Sequence, residues 1–558
     1  MIKTLFSISF NLLKFLNSKL LFYVAFVVYI FDAFLLLILP LVSAWLIDAL
    51  ALYDRSDFNK YLYILIAVSI FRIITNYFAN LLTVKITEEF GYNLRRTIIN
   101  NILNLGFIDF EKKSLGDYTS RLFNDSSKLK GFFTSFVLSL SIDILFLLAL
   151  AVILIKMNLF LSIILFVFIP FTIYYGLIFK NRINFYSKET QEKLALLTNK
   201  VYSWFMAFLF IKAYNLNKTA EAQYAYSDSS YIKATIGQGF FHSLVSASNV
   251  LVLSIPSVLI FFLGGVQYFD GKLSIGVLFA FISYSTYFNV PLQRVISSLI
   301  IELPKLVPIF NRIKPYIDIY KNIANENEIP LRNTEYDDDI ITIKEIKHTF
   351  GASFNLKINN LKLHRGHLIG LSGPNGSGKS TIAKILSGSI QTRCITLLKD
   401  KDFDSFSANV FYFSQNQVLF DGSLVENITL FEKKPNLTKI NEIANYLNLF
   451  DILKINVLDN YIFDFSNKSS FSSGQIQKIA LARLLYTKKE ILILDEPETS
   501  LDNENRTLLS KWLSLQTDKF ILLISHNDKL LELCNQVYEL HRYNSSFTLK
   551  HLKSWNKI

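Results

Sequence analysis

The run Gly373-Pro374-Asn375-Gly376-Ser377-Gly378-Lys379-Ser380-Thr381 places glycines ahead of a cation and two hydroxyls. Its spacing is GxxxxGK[ST]. Positions without a Cβ let backbone N–H groups converge on phosphate oxygens. Lys379 supplies a point charge for the outer phosphates, and Ser380 a hydroxyl for a magnesium ion. Downstream, the apolar run Ile491–Leu494 ends in two carboxylates, Asp495 and Glu496. Asp495 can hold the metal, directly or through water. Glu496 can serve as general base toward an attacking water. A second apolar run, Phe520–Ser525, ends in His526, placed to bridge a γ-phosphate and that water. Together these residues imply binding and hydrolysis of ATP with Mg2+.

Such a loop works only where a strand ends and a helix begins. His367-Leu-Ile-Gly-Leu-Ser372 reads as the strand, and Ile382–Leu386 continues as the helix. The helix N-terminus adds partial positive charge toward the phosphates. From Ile340 onward, short β-branched runs alternate with helical segments, as in an α/β domain with a largely parallel sheet. A nucleotide-binding domain is therefore expected over 340–558. The polar, acidic stretch 326–339 reads as a linker.

The first 325 residues have a different solvent. Across the 558-residue chain, 51% of residues are hydrophobic, 50 are Phe and only 18% are charged, against about a quarter in soluble domains. Six stretches reach the roughly 20 apolar residues needed to cross a bilayer, near 20–47, 61–83, 132–155, 158–178, 240–268 and 275–301. The fold class expected is an all-α six-helix transmembrane domain followed by an α/β P-loop NTPase domain. The formal net charge of +12 fits basic loops on the inner side. The long second and fourth connections carry Arg95, Arg96, Lys112, Lys113, Lys180, Arg182 and Lys188. That places them, both termini and the nucleotide-binding domain in the cytoplasm, with the chain multi-pass in the cell's inner (plasma) membrane. No dense basic stripe is present, so nucleic acid is not an expected partner. Cys394 and Cys534 form no CxxC pair, which suits a reducing compartment. Met1–Lys19 lacks a small-residue cleavage site and reads as an interfacial helix.

Ionisable residues within or near the spans must face a cavity or each other. Asp32 and Arg72 lie on neighbouring spans and are expected to pair. Asp143 and His242 are further cases. Arg294 follows Tyr284, Tyr287, Phe288, Asn289 and Gln293 in the last span. Arg294, Tyr287 and Asn289 are candidates to touch a polar cargo.

The order of phosphate loop, glutamine, Ser-Ser-Gly-Gln, Asp-Glu and histidine resembles the ATP-binding cassette (ABC) transporters of exporter type, over the whole chain. The resemblance implies that Gln415 reaches the metal and acts at the catalytic site. It implies that Phe350 stacks on adenine and that Asp502 is the aspartate of the following loop. Ser472, Ser473, Gly474 and Gln475 match the family's signature LSGGQ, with Phe471 in place of leucine and Ser473 in place of the first glycine. In the family this segment faces the nucleotide of the opposite subunit. Phe110–Asp125 and Trp204–Tyr214 resemble its two coupling regions. With one phosphate loop and one signature, the chain is expected to be a half-transporter. It would pair with a second copy of itself by symmetry, or with a paralogous half-transporter.

The cargo is the open question at this stage. Export of a peptide or another natural product is the leading expectation. Flipping of a lipid or lipid-linked oligosaccharide, and siderophore-type import on the exporter fold, are the alternatives. No protease domain precedes the first span in this sequence, so cleavage of a leader by the chain itself is not expected. A soluble cassette ATPase and an ATP-gated channel are the readings from other classes. The six spans weigh against the first, and uphill transport in sealed vesicles would exclude the second.

Overall fold

The computed structural model describes residues 12–298, 302–318, 339–350, 354–390, 395–397, 403–450, 462–463, 472–499, 501, 503–543 and 546–554. Most of the expected linker and Asp502 lie outside these. The side chains of Phe350 and His242 are likewise outside the description. Two compact units emerge, one of Met1–Asn104 with Ser114–Asn325, the other of Leu105–Lys113 with Glu326–Ile558.

The first unit is helical. Its long helices are α1 (Lys19–Ala51), α2 (Arg55–Leu103), α3 (Leu140–Met157), α4 (Leu159–Met206), α5 (Asn217–Phe269), α6 (Ile275–Ser297) and α7 (Leu303–Asp318). Among the described residues α1, α2, α3 and α6 are long and apolar enough to cross a membrane. Shorter apolar stretches, Leu159–Phe171 and Ser254–Phe269, fall in α4 and α5. Over their described residues, the six expected spans fall on helices. The segment ahead of α3 is π-helical at Ser120–Asp125 and Phe133–Ser139.

Side-chain chemistry fixes how these helices start and meet. Asp54 caps α2 by accepting from the N–H groups of Ser56 and Asp57. Ser274 caps α6 and also donates to Asp48 near the end of α1 at 2.7 Å. Asp48 accepts from Gly276 N at 2.8 Å. A Cβ at Gly276 would stand 2.1 Å from Ala44 O, so only glycine allows this approach of α1 and α6. Asp32 is buried but not orphaned: Thr75 Oγ1 donates to it at 3.1 Å and Arg72 Nε lies 3.9 Å away. The expected pairing of neighbouring spans is present. Leu37, Leu150, Leu161, Ile260, Phe281 and Phe288 form part of the apolar core. Phe34, Phe71, Phe171 and Phe261 stay exposed, as a lipid-facing surface requires.

The second unit is built on a nine-stranded sheet. Its strands are β1 (Ile340–Phe350), β2 (Phe354–His364), β3 (Leu368–Ser372), β4 (Ile395–Leu397), β5 (Val410–Phe413), β8 (Ile491–Asp495), β9 (Phe520–Ile524), β10 (Gln536–Tyr543) and β11 (Ser546–Ser554). A separate two-stranded ribbon joins β6 (Gly422–Ser423) and β7 (Ile462–Phe463). The order is β4-β1-β2-β11-β10-β3-β9-β8-β5. The run β10-β3-β9-β8-β5 is parallel throughout. Strands β8 and β9 are fully buried, which is why they read as unbroken apolar runs rather than alternating ones. Helix α8 (Lys379–Leu386) follows β3, and α9 (Ser473–Tyr486) precedes β8. The short helix Phe107–Glu111 belongs to this unit: Phe107 and Ile108 pack on its core, and Lys384 Nζ lies 4.6 Å from the centre of the Phe107 ring.

Candidate functional site

The carboxyl ends of parallel strands gather the reactive residues. In open α/β sheets such strand ends are where ligands sit. Strand β3 feeds the glycine loop, and Gly376 and Gly378 adopt φ of 76° and 95°, left-handed values that a Cβ disfavours. Gly378 is the N-cap of α8. Asn375, Gly376, Ser377, Gly378, Lys379, Ser380 and Thr381 line a cleft of about 600 Å³, and Gln415, Glu496 and His526 line it too. The sequence-predicted residues of the phosphate loop and its two downstream strands therefore meet in one place.

The geometry within the cleft is specific. Lys379 Nζ donates to the carbonyls of Gly373 at 2.8 Å and Pro374 at 3.1 Å. Burial pulls its pKa below the usual lysine range, against the opposing charges of Glu496 and Asp495. Ser377 Oγ is buried with no hydrogen-bond partner, a donor with room for an acceptor such as a phosphate oxygen. Ser380 Oγ donates to Asp495 Oδ1 at 3.2 Å. That hydroxyl–carboxylate pair offers the hard oxygen ligands a magnesium ion takes. Asp495 is 2% exposed, and burial pushes its pKa up while Ser380 and Tyr412 pull it down. Glu496 has φ of 49°, uncommon for a residue with a Cβ. Its N–H donates to Ile524 O at 2.9 Å, which holds the strained turn. Gln415 Nε2 donates to Glu496 Oε2 at 2.7 Å, and His526 Nε2 stands 3.6 Å from Oε1.

The signature segment is a helix start. Ser472 is the N-cap of α9 and accepts from Gln475 N, while Gln475 Oε1 accepts from Ser472 N at 2.7 Å. Ser473 is the first residue of α9 and exposed, so its Cβ meets no obstruction within the unit. Two contacts escape a reading of the sequence. Tyr412 Oη donates to Asp495 Oδ2 at 3.1 Å, and Thr499 Oγ1 reaches Glu496 Oε2 at 3.4 Å.

Comparison with known proteins gives the family. Residues 22–292 match the ABC transporter transmembrane region, and residues 356–499 match the ABC transporter family's ATP-binding domain. This chain is an ABC transporter. Both regions of the transporter lie in one polypeptide, as in its relatives. It is 26% identical over 507 residues to the lactococcin-G-processing and transport ATP-binding protein LagD of Lactococcus lactis subsp. lactis, covering 87% of this chain and 70% of that protein. It is 25% identical over 506 residues to an export ATP-binding/permease protein of Rickettsia bellii (strain RML369-C), covering 88% and 85%. It is 28% identical over 493 residues to the SPbeta prophage-derived sublancin-168-processing and transport ATP-binding protein SunT of Bacillus subtilis (strain 168), covering 83% and 66%. The transporter is thus an ATPase coupled to transport across a membrane.

The transporter's helical unit holds its own cavity, of about 910 Å³, with a mixed polar and apolar lining. Residues of both π-helical turns line it, including Asp125, Phe136 and Ser139. Single π turns recur at functional sites. Arg294 lines the cavity but is not free: its guanidinium donates to Asp143 Oδ1 at 2.6 Å. Asp143 is 5% exposed, and its Oδ2 has no partner. Arg312 pairs with Asp117 at 3.1 Å and Asp125 at 3.4 Å. Tyr287 and Asn289 are not among the described lining residues, and Tyr287 packs against the apolar core. Tyr284, on the same helix, faces away from the cavity lining. It is fully buried with its hydroxyl on Leu37 O, because the face of α6 it occupies packs on α1. The stretch resembling the second coupling region ends α4 and forms the short helix Phe208–Ala213, with Phe205, Phe208, Leu209 and Phe210 all exposed.

Proposed function

We propose that two copies of this chain form an exporter of peptides in the inner membrane, with the nucleotide-binding unit in the cytoplasm. The observation that carries the ATPase half is the convergence of Lys379, Ser380, Gln415, Glu496 and His526 on one cleft. When bound, ATP with Mg2+ supplies the γ-phosphate to be transferred and the cation that offsets its charge. Lys379 exchanges the carbonyls of Gly373 and Pro374 for outer phosphate oxygens. Ser377 gives its unpartnered hydroxyl to a phosphate oxygen, and Ser380 and Asp495 hold the cation. Glu496 takes a proton from the attacking water, oriented by Gln415, while His526 faces the γ-phosphate. Phe350 and Asp502 keep the roles that the resemblance implies, at the adenine and in the loop after Glu496.

A single chain supplies one glycine loop and one signature helix. In the pair, the helix start at Ser472–Gln475 of the second chain faces the phosphates, presenting backbone N–H groups and a positive helix end. The exposed apolar residues of the helix Phe208–Ala213 fit a surface that docks on a second chain. ATP favours the closed pair and so shifts the population of the membrane helices.

The peptide reading rests on the names of LagD and SunT, which refer to lactococcin G and sublancin 168, and on the cavity. Its Phe132 and Phe136 lie beside Asp143, Arg294, Lys188 and Gln191, a mixed lining suited to a chain of amides and varied side chains. Arg294 is the residue proposed to touch cargo. The test is comparative mass spectrometry of culture medium from the source strain with and without the gene. A peptide that vanishes on deletion, returns with the wild-type chain and stays absent with Glu496→Gln supports the reading. An unchanged set of secreted peptides overturns it.

A further inference from the structure

The cation site of the nucleotide cleft has a second support that its motifs do not include. We propose that Tyr412 is a positioning residue for the divalent cation, acting through the carboxylate of Asp495. This rests on the reading in which Asp495 holds that cation.

Strand β5 pairs in parallel with β8, and the register sets Tyr412 opposite Ile493, two residues before Asp495. From there the phenol reaches along the strand direction, and its hydroxyl donates to Oδ2 at 3.1 Å. Ser380 Oγ donates to Oδ1 at 3.2 Å from the glycine-loop side. Asp495 is thus gripped on both oxygens. A carboxylate so held keeps one orientation, with lone pairs left for a cation or its water.

The two grips are not equivalent. Ser380 is itself the proposed ligand, so its hydroxyl must turn its lone pair to the cation when the site fills. Tyr412 has no such second duty. Its ring packs against the core that contains Ile491 and Ile493, which fixes the hydroxyl by burial rather than by ligand contacts. Outer-shell partners of this kind set ligand orientation, and their loss costs about 10–100-fold in metal affinity.

The experiment uses the full-length protein in nanodiscs with AMP-PNP, a non-hydrolysable ATP analogue, and Mn2+ as the probe read by electron paramagnetic resonance. Tyr412→Phe keeps the ring and removes only the donor. Mn2+ binding in the AMP-PNP complex is expected to weaken about tenfold or more. AMP-PNP binding in EDTA, and Tm, should stay at wild-type values. In an Asp495→Asn background Tyr412→Phe should add no further loss, because both changes act on one group. Mn2+ affinity unchanged in Tyr412→Phe, while Asp495→Asn weakens it, overturns the role of Tyr412 and leaves the cation site standing. An equal loss from Tyr412→Phe with and without Asp495 overturns the route through that carboxylate. No loss in Asp495→Asn instead removes the underlying reading of Asp495, and with it this inference.

Discussion

Gln415 Nε2 lies 2.7 Å from Glu496 Oε2, which ties the strand end after β5 to the carboxylate that emerges from β8. The contact holds Glu496 over the phosphate loop with its backbone in a left-handed conformation. Gln415→Ala is expected to lower the turnover number about tenfold to a hundredfold, the range for a displaced reacting group. ATP affinity measured without Mg2+ should not move. Steady-state hydrolysis beside equilibrium nucleotide binding separates the two. Lost affinity with an unchanged turnover number would mean that Gln415 acts on binding alone.

The Asp143–Arg294 pair joins α3 to α6 beside the helical unit's cavity, with the carboxylate buried and the guanidinium half exposed. Removing Arg294 leaves a buried carboxylate without a counter-charge. Arg294→Ala should therefore lower the Tm in detergent more than Asp143→Asn, which removes the charge itself. The reversed pair Asp143→Arg with Arg294→Asp should recover stability without recovering export. Recovery of both would reduce the pair to a structural tie.

Arg483 is buried on α9. It donates to Val418 O at 2.8 Å, to Asn427 O at 2.7 Å and to Asn427 Oδ1 at 3.1 Å. Arg483→Ala strands the Val418 and Asn427 carbonyls, while Asn427 Oδ1 keeps the Phe420 N–H, at a cost of about 3 kcal/mol or more. Urea unfolding should show a lower midpoint, and Arg483→Lys should recover only part of it because one ammonium cannot reproduce the fork. A midpoint equal to wild type in the alanine variant would refute this account of the helix anchor.

Cys534 is 1% exposed, and burial pushes its thiol up to about 12. An exposed thiol ionises near about 8.5. The folded value lies above the unfolded one, so the thiol's share of stability is full below about pH 8.5 and fades as pH climbs toward the folded value. The thiolate is the reactive form. N-ethylmaleimide at neutral pH should leave Cys534 unmodified in the native protein and label it in urea, as peptide mapping would show. Prompt labelling of the native protein would contradict the burial.

Much of this was readable from residue order because two solvents and one anion impose strict demands. A bilayer requires long apolar runs, so the six candidate spans are evident before any packing is known. Phosphate binding fixes the glycine spacing and the strand–loop–helix setting, so Gly373–Thr381 declares itself. Asp32 and Arg72 sit on consecutive helices, and a hairpin of spans makes their meeting a local matter. Asp143 and Arg294 were visible as membrane ionisables, but their pairing crosses 151 positions and depends on how α3 meets α6. Tyr412 reads in sequence as one more aromatic in a strand. Its function depends on the register of β5 against β8, which no local pattern contains. The burial of Tyr284 is hidden for a related reason: its hydroxyl meets Leu37 O only because of how α6 packs on α1.

ATP hydrolysis by the purified transporter in nanodiscs, with Glu496→Gln beside wild type, tests the central claim most directly. The substitution keeps the shape of the side chain while removing the base, so binding of ATP should persist and Mg2+-dependent turnover should fall about 10²-fold or more. Turnover at the wild-type rate in Glu496→Gln would contradict the account.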